Sequence, residues 1–175
     1  MDLKEPVRSD DHRIGTPDAP VVVVEYGDFE CPNCKQAAPA VEMLLQRFDG
    51  RVCFVYRHFP LEEVHPHAVQ AAEAAECAAA QGRFWEMHRL LFENQHALEL
   101  DHLRNYAAQL GLDMQRYTSE MTNHTHLTRV RADAATARQA GVRSTPGFFI
   151  DGARQDVSFG LHRLFDATEA ALNRR

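Results

Sequence analysis

Four cysteines in 175 residues are too few for a disulfide scaffold, and a chain of this length can bury a core without covalent staples. Glycine and proline, at 9 and 8 residues, are too sparse for a fibrous protein or a flexible linker, and 45% hydrophobic with 25% charged residues is no disordered composition. Basic charge is also short. Lys and Arg number 19 against 25 Asp and Glu, for a net charge of −6, and the scattered cations form no footprint for nucleic acid. No apolar run is long enough to span a bilayer, so no membrane partner is expected. The start, Met1-Asp-Leu-Lys-Glu-Pro-Val-Arg, lacks the apolar core of a signal peptide. Taken as the native start it implies a cytoplasmic protein, and a trimmed N-terminus would leave a periplasmic or extracytoplasmic one. There are no internal repeats.

The first twenty residues are polar and end in the turn-rich Gly15-Thr-Pro-Asp-Ala-Pro20, which reads as a surface arm. Val21-Val-Val-Val-Glu-Tyr26 is β-branched without alternation, as in a strand buried on both faces. Gly27 to Glu30 breaks it. Pro32 suits the first turn of a helix continued by Val41, Leu44, Leu45 and Phe48, with a kink expected at Pro39. Val52-Cys-Phe-Val-Tyr56 is a second buried strand, so the segment is a βαβ unit with parallel pairing. From Glu62 to Gln139 the pattern is helical: Ala68 to Ala80, Phe84 to Phe92, then Leu103, Tyr106, Ala107 and Leu110 on one face, with Gly111 as a stop. Strands return at Phe148-Phe-Ile150, a turn at Asp151-Gly152 and a short strand near Val157, before a last helix from about Leu161 to Leu172.

Chemistry concentrates at Cys31 and Cys34. Residues i and i+3 meet within one helical turn, so the two sulfurs can close a disulfide. Cys31, at the helix start, faces unpaired N–H groups and the positive dipole end, which favour its thiolate. It is therefore the expected nucleophile, and the deeper Cys34 the resolving thiol. Glu25, ending an apolar strand, reads equally as a buried acid near the sulfurs or as the first residue of a loop. The same cysteines could form half of a zinc site, completed by His65 with His67 or by His124 with His126. The remaining histidines read as surface or capping residues. Cys53 and Cys77, flanked by Val, Phe and Ala, read as small buried hydrophobes, and Phe84, Trp85 and Met87 as core rather than groove.

A strand ending in Glu25, then Cys31-Pro32-Asn33-Cys34, and later Ser144-Thr145-Pro146-Gly147-Phe148-Phe149-Ile150-Asp151-Gly152 resemble the thioredoxin superfamily, and more narrowly the DsbA-type disulfide oxidoreductases. Further similar stretches are Gly15 to Val21, Arg57-His58-Phe59-Pro60-Leu61, Ala74 to Ala78 and Gly82-Arg83-Phe84-Trp85. The resemblance implies an α/β thioredoxin fold, a central mixed sheet flanked by helices, carrying an inserted all-helical subdomain. Residues 1–61 and 141–175 would form the two parts of that fold and 62–140 the insertion. It places the nucleophile on Cys31, the resolving cysteine on Cys34, the buried acid on Glu25 and a cis-proline on Pro146, behind Thr145. Pro32 and Asn33 are the pair that tunes thiolate stability. The implied activity is thiol-disulfide exchange with protein or small-thiol substrates, served by a thioredoxin-like or low-molecular-weight redox partner, without metal or organic cofactor. The alternative is a non-catalytic zinc-binding or redox-sensing module built on the same pair.

Overall fold

The computed structural model describes residues 2–175. In chain order the elements are β1 (His12–Ile14), β2 (Val21–Gly27), α1 (Pro32–Arg47), β3 (Val52–His58), α2 (Ala68–Ala79), α3 (Phe84–Glu93), α4 (Leu100–Gln109), α5 (Met114–Thr122), α6 (Leu127–Gln139), β4 (Gly147–Ile150), β5 (Ala153–Gln155) and α7 (His162–Asn173). The strands form one mixed sheet ordered β1-β3-β2-β4-β5. β2 runs parallel to β3, Val21 opposite Val52 and Gly27 opposite His58, and antiparallel to β4. Continuous β-branched runs suit these central strands, since each must be apolar on both faces.

Alternate residues point to two cores. Val21, Val23, Phe54, Tyr56, Phe148 and Ile150 pack with α1, α3 and α7, whereas Val24, Tyr26, Cys53, Val55 and Phe149 pack with Ala134, Ala137 and Ala140 at α6. Helices α2 to α6 thus all leave the chain between β3 and β4, but α6 returns to cover the sheet's second face. Phe84 and Met87 are core residues, while Trp85 is only partly buried. No helix among the described residues is long and apolar enough to cross a membrane.

Two expectations need correction. The first twenty residues are not a surface arm. β1 lies antiparallel along β3, with His12 opposite Tyr56, and Asp2 bridges to Ala153 at the other edge of the sheet. What orders this polar segment is a buried charge: the fully buried Arg57 donates to Asp11 Oδ1 and Oδ2 at 3.0 and 2.8 Å and to the carbonyls of Glu5 and Pro6 at 3.1 and 2.8 Å. Gly15 completes the turn, because a Cβ there would lie 2.4 Å from the Val52 carbonyl oxygen. Secondly, the strand expected near Val157 is β5 at Ala153–Gln155, pairing directly across the Asp151-Gly152 turn. Pro39 lies inside α1, which continues through it. Pro39 and Lys35 are both exposed, so the carbonyl that loses its helical partner is left to solvent at small cost.

Candidate redox site

β2 delivers the chain to the sheet end where Asp28, Phe29 and Glu30 form a loop into α1. Cys31 is the N-cap of α1 and Pro32 its first residue, with no acidic side chain in the first turn. Cys34 follows one turn in, its N–H bonded to the Cys31 carbonyl at 3.1 Å. The two sulfurs differ in environment. Cys34 is completely buried and Cys31 is 6% exposed, while Pro32 and Asn33 between them face solvent. The Cys31 thiol donates to the Thr145 carbonyl at 3.4 Å, and the Thr145–Pro146 peptide bond is cis. The structure therefore brings Cys31, Cys34, Pro32, Asn33, Thr145 and Pro146 together.

This environment separates the acidities of the two thiols. A hydrogen bond from Cys34 holds the Cys31 thiol down to about 5. Burial opposes it, and the Thr145 side chain and the N–H groups of Cys34 and Asn33 assist. Burial, the bond to Cys31 and the charge of Glu25 push Cys34 the other way, well above an ordinary thiol. Glu25 sits in β2 between Tyr56 and Phe148, and burial, with the Cys31 charge, raises its carboxyl to about 8. It is a buried acid, not the start of a loop, and it holds its proton at neutral pH.

Sequence reasoning missed the groups that fix the loop. Asp28 accepts from the Glu30 and Leu61 N–H groups at 2.8 and 2.9 Å, and its Oδ2 lies 2.7 Å from His65 Nδ1. Glu30 accepts from the His67 N–H at 2.7 Å and lies 2.9 Å from His67 Nδ1. Gln95 donates to the carbonyls of Phe29 and Cys31 at 2.8 and 2.9 Å. His65 and His67, offered as zinc ligands, are thus turned to carboxylates. Burial disfavours charge on His65, but the Asp28 bond outweighs it and raises the imidazole's pKa. Gly27 permits close packing here, since a Cβ would meet the Tyr56 hydroxyl at 2.6 Å. Pro before the second cysteine was a visible signal; the acids on either side of Phe29 carried none beyond ordinary loop polarity.

Beside Cys31 a groove of about 380 Å³ runs over Asn33, Gln36, Thr145, Pro146, Val157 and Leu161. Its wall joins the α1 start to the Thr145 loop. Metal-type donor sets lie elsewhere: His12, His58 and Glu76 form one, and Cys77, Glu120 and His126 another. The histidines are accordingly not all surface residues, since His58 is buried.

A family model described as Thioredoxin matches residues 8–166. The chain belongs to the thioredoxin family. Its fold superposes on BdbD from Bacillus subtilis with a TM-score of 0.83 at 22% identity, covering 93% of each chain. It superposes on alpha-DsbA1 from Wolbachia pipientis with a TM-score of 0.84 at 19% identity, over 98% of this chain and 95% of that one. A thioredoxin-like oxidoreductase from Silicibacter pomeroyi is 26% identical, with a TM-score of 0.83 over 95% and 94% of the two chains. Among curated proteins it is similar to the Na(+)/H(+) antiporter NhaA 1 of Salinispora arenicola, 45% identical over 172 residues, 98% of this chain but 26% of that protein. The NhaA 1 of Mycobacterium sp. (strain KMS) is 44% identical over 162 residues, 91% of this chain and 26% of that protein. The chain thus spans about a quarter of the length of the curated relatives it matches.

Proposed function

We propose that this DsbA-like protein is a thiol-disulfide oxidoreductase that exchanges disulfides with protein substrates through Cys31 and Cys34. The observation that carries this reading is the asymmetry of the pair: a low-pKa sulfur at the helix start and edge of a groove, and a buried, high-pKa sulfur one turn behind it. In the reducing direction the Cys31 thiolate attacks one sulfur of a substrate disulfide, forming a mixed disulfide and releasing one substrate thiolate. Cys34 then loses its proton and attacks Cys31 Sγ, which breaks the mixed bond, frees the second substrate thiolate and leaves the Cys31–Cys34 disulfide. In the oxidising direction a substrate thiolate attacks Cys31 Sγ of that disulfide and expels Cys34, which takes up a proton; the substrate's second thiolate then attacks the substrate sulfur of the mixed disulfide, closing the substrate disulfide and displacing Cys31 as a stabilised thiolate. Glu25, protonated at neutral pH and near both sulfurs, is the group able to exchange a proton with Cys34.

Stabilising the Cys31 thiolate stabilises the dithiol form, which favours oxidation of substrates. The Cys31 thiol is held down to about 5, which shifts the pair toward the oxidising side of an ordinary dithiol; about −270 mV in thioredoxin and about −120 mV in DsbA are the two ends against which its reduction potential is read. Equilibration against glutathione buffers, with trapping of free thiols, measures it, and a value near the lower end would fit a cytoplasmic reductase. Cys31→Ser should abolish exchange and Cys34→Ser should accumulate mixed disulfides. Full activity in the Cys31→Ser protein would overturn the reading.

A further inference from the structure

We propose that His12, His58 and Glu76 form a binding site for a divalent transition-metal ion of the Zn²⁺ type, separate from the cysteine pair. Three elements converge there. His12 on β1 and His58 at the end of β3 both direct Nε2 at one oxygen, Glu76 Oε1 on α2, at 2.6 and 2.7 Å. The donor atoms lie within 4.8 Å of one another, with His58 and Glu76 buried and His12 half-buried. Two imidazole nitrogens and one carboxylate suit Zn²⁺, Co²⁺ or Ni²⁺, whereas Ca²⁺ and Mg²⁺ call for oxygen ligands.

The surroundings hold these donors in place. The His12 ring stacks on Phe84, centroids 3.6 Å apart and the planes nearly parallel. The His58 N–H is tied to Asp133 Oδ2 at 3.1 Å, and Glu76 Oε2 lies 3.4 Å from Arg129 Nε, which leaves Oε1 to the two imidazoles. Loading a cation replaces the Nε2 protons and asks the donors to spread to about 3.3 Å, the edge of a tetrahedron with bonds of about 2.0 Å. His12, with 13% of its side chain exposed, is the ligand able to make that adjustment. The other donor set is less available, because Glu120 is engaged by Arg116 at 2.8 Å and by His126 at 2.9 Å. The ion would pin α2 to the β1-β3 edge directly beneath the loop into Cys31, where Phe29 packs on His58 at 6.0 Å between centroids.

The test uses the full chain with Cys31 and Cys34 oxidised to their disulfide, so that neither can ligate. Co²⁺ is titrated by visible absorption, and Zn²⁺ by competition against it. The expected result is one equivalent with d–d bands and no thiolate-to-cobalt charge transfer. Affinity should fall at least about tenfold in His12→Ala and in Glu76→Gln, and stay unchanged in His126→Ala. His12→Ala truncates the most accessible of the three donors, 13% exposed, and circular dichroism verifies its fold independently of metal. Absence of saturable binding would overturn the proposal. So would equal affinity in folded His12→Ala, or a charge-transfer band that His126→Ala abolishes, which would move the ion to Cys77, Glu120 and His126.

Discussion

Replacing Cys34 by Ala removes the thiol whose hydrogen bond contributes most to the Cys31 thiolate. A hydrogen bond to a charged group contributes about 1.5–3 kcal/mol, and about 1.4 kcal/mol corresponds to one pH unit. The Cys31 midpoint should therefore rise from about 5 by roughly one to two units, to between about 6 and 7. It should stop there, because the Thr145 side chain and the backbone N–H groups at the start of α1 still face the sulfur. The substitution is sterically mild, since Ala is smaller than Cys and no charge is left unpaired. The pH dependence of iodoacetamide alkylation reads the midpoint, with reduced wild-type protein alongside. Cys53 and Cys77 do not interfere, because burial raises both their thiol pKa values and keeps them protonated over this range. A midpoint that stays near 5 would refute the role given to the Cys34 thiol. One that returns to an ordinary thiol value would refute the role given to the helix start.

Glu25 keeps its proton in the fold to about 8 but ionises near 4.3 when unfolded, so its contribution to stability is fully present below that lower value and is lost as pH rises toward 8. Glu25→Gln has no such slope; in urea melts its stability relative to wild type should improve steadily from pH 4 to pH 8, by up to on the order of 4 kcal/mol. Parallel curves would mean that the carboxyl is solvated after all. Arg57→Met takes from the buried Asp11 carboxylate its two-pronged guanidinium partner and leaves it only Arg8, at 3.2 Å from the guanidinium and 2.7 Å from the backbone N–H; the loss should cost about 3 kcal/mol, a melting temperature lower by roughly 10 °C in a chain of this size. Arg57→Met with Asp11→Asn should recover part of that loss, and no recovery would show that Asp11 is not the partner that matters.

The fold was legible wherever one local signal decided the outcome. β2 and β3 are short, continuously apolar and β-branched, and the Cys31-Pro32-Asn33-Cys34 stretch combines a helix-start proline with two sulfurs one turn apart. β1 and β5 are three residues each, partly exposed and polar, with no period long enough to read. Their pairing is imposed from outside, by Arg57 under the N-terminal segment and by the tight turn at Asp151, whose φ is +48°.

Charge burial was harder to read, because whether an acid is solvated depends on partners that are remote in the chain. Glu25 read equally as buried or exposed from its neighbours alone, and its burial follows from β3 and β4 flanking it. Glu76 did carry a usable signal. The run Ala71-Ala72-Glu73-Ala74-Ala75-Glu76-Cys77-Ala78 is helical and small and apolar on every face but the one that carries its two acids, and a helix so largely apolar is enclosed. Acids on such a helix must then be paired, and the structure supplies His124 for Glu73 and His12, His58 and Arg129 for Glu76. Those histidines looked like surface residues one at a time. Beside the enclosed acids of α2, some of the ten histidines become the hydrogen-bond partners that such a helix requires.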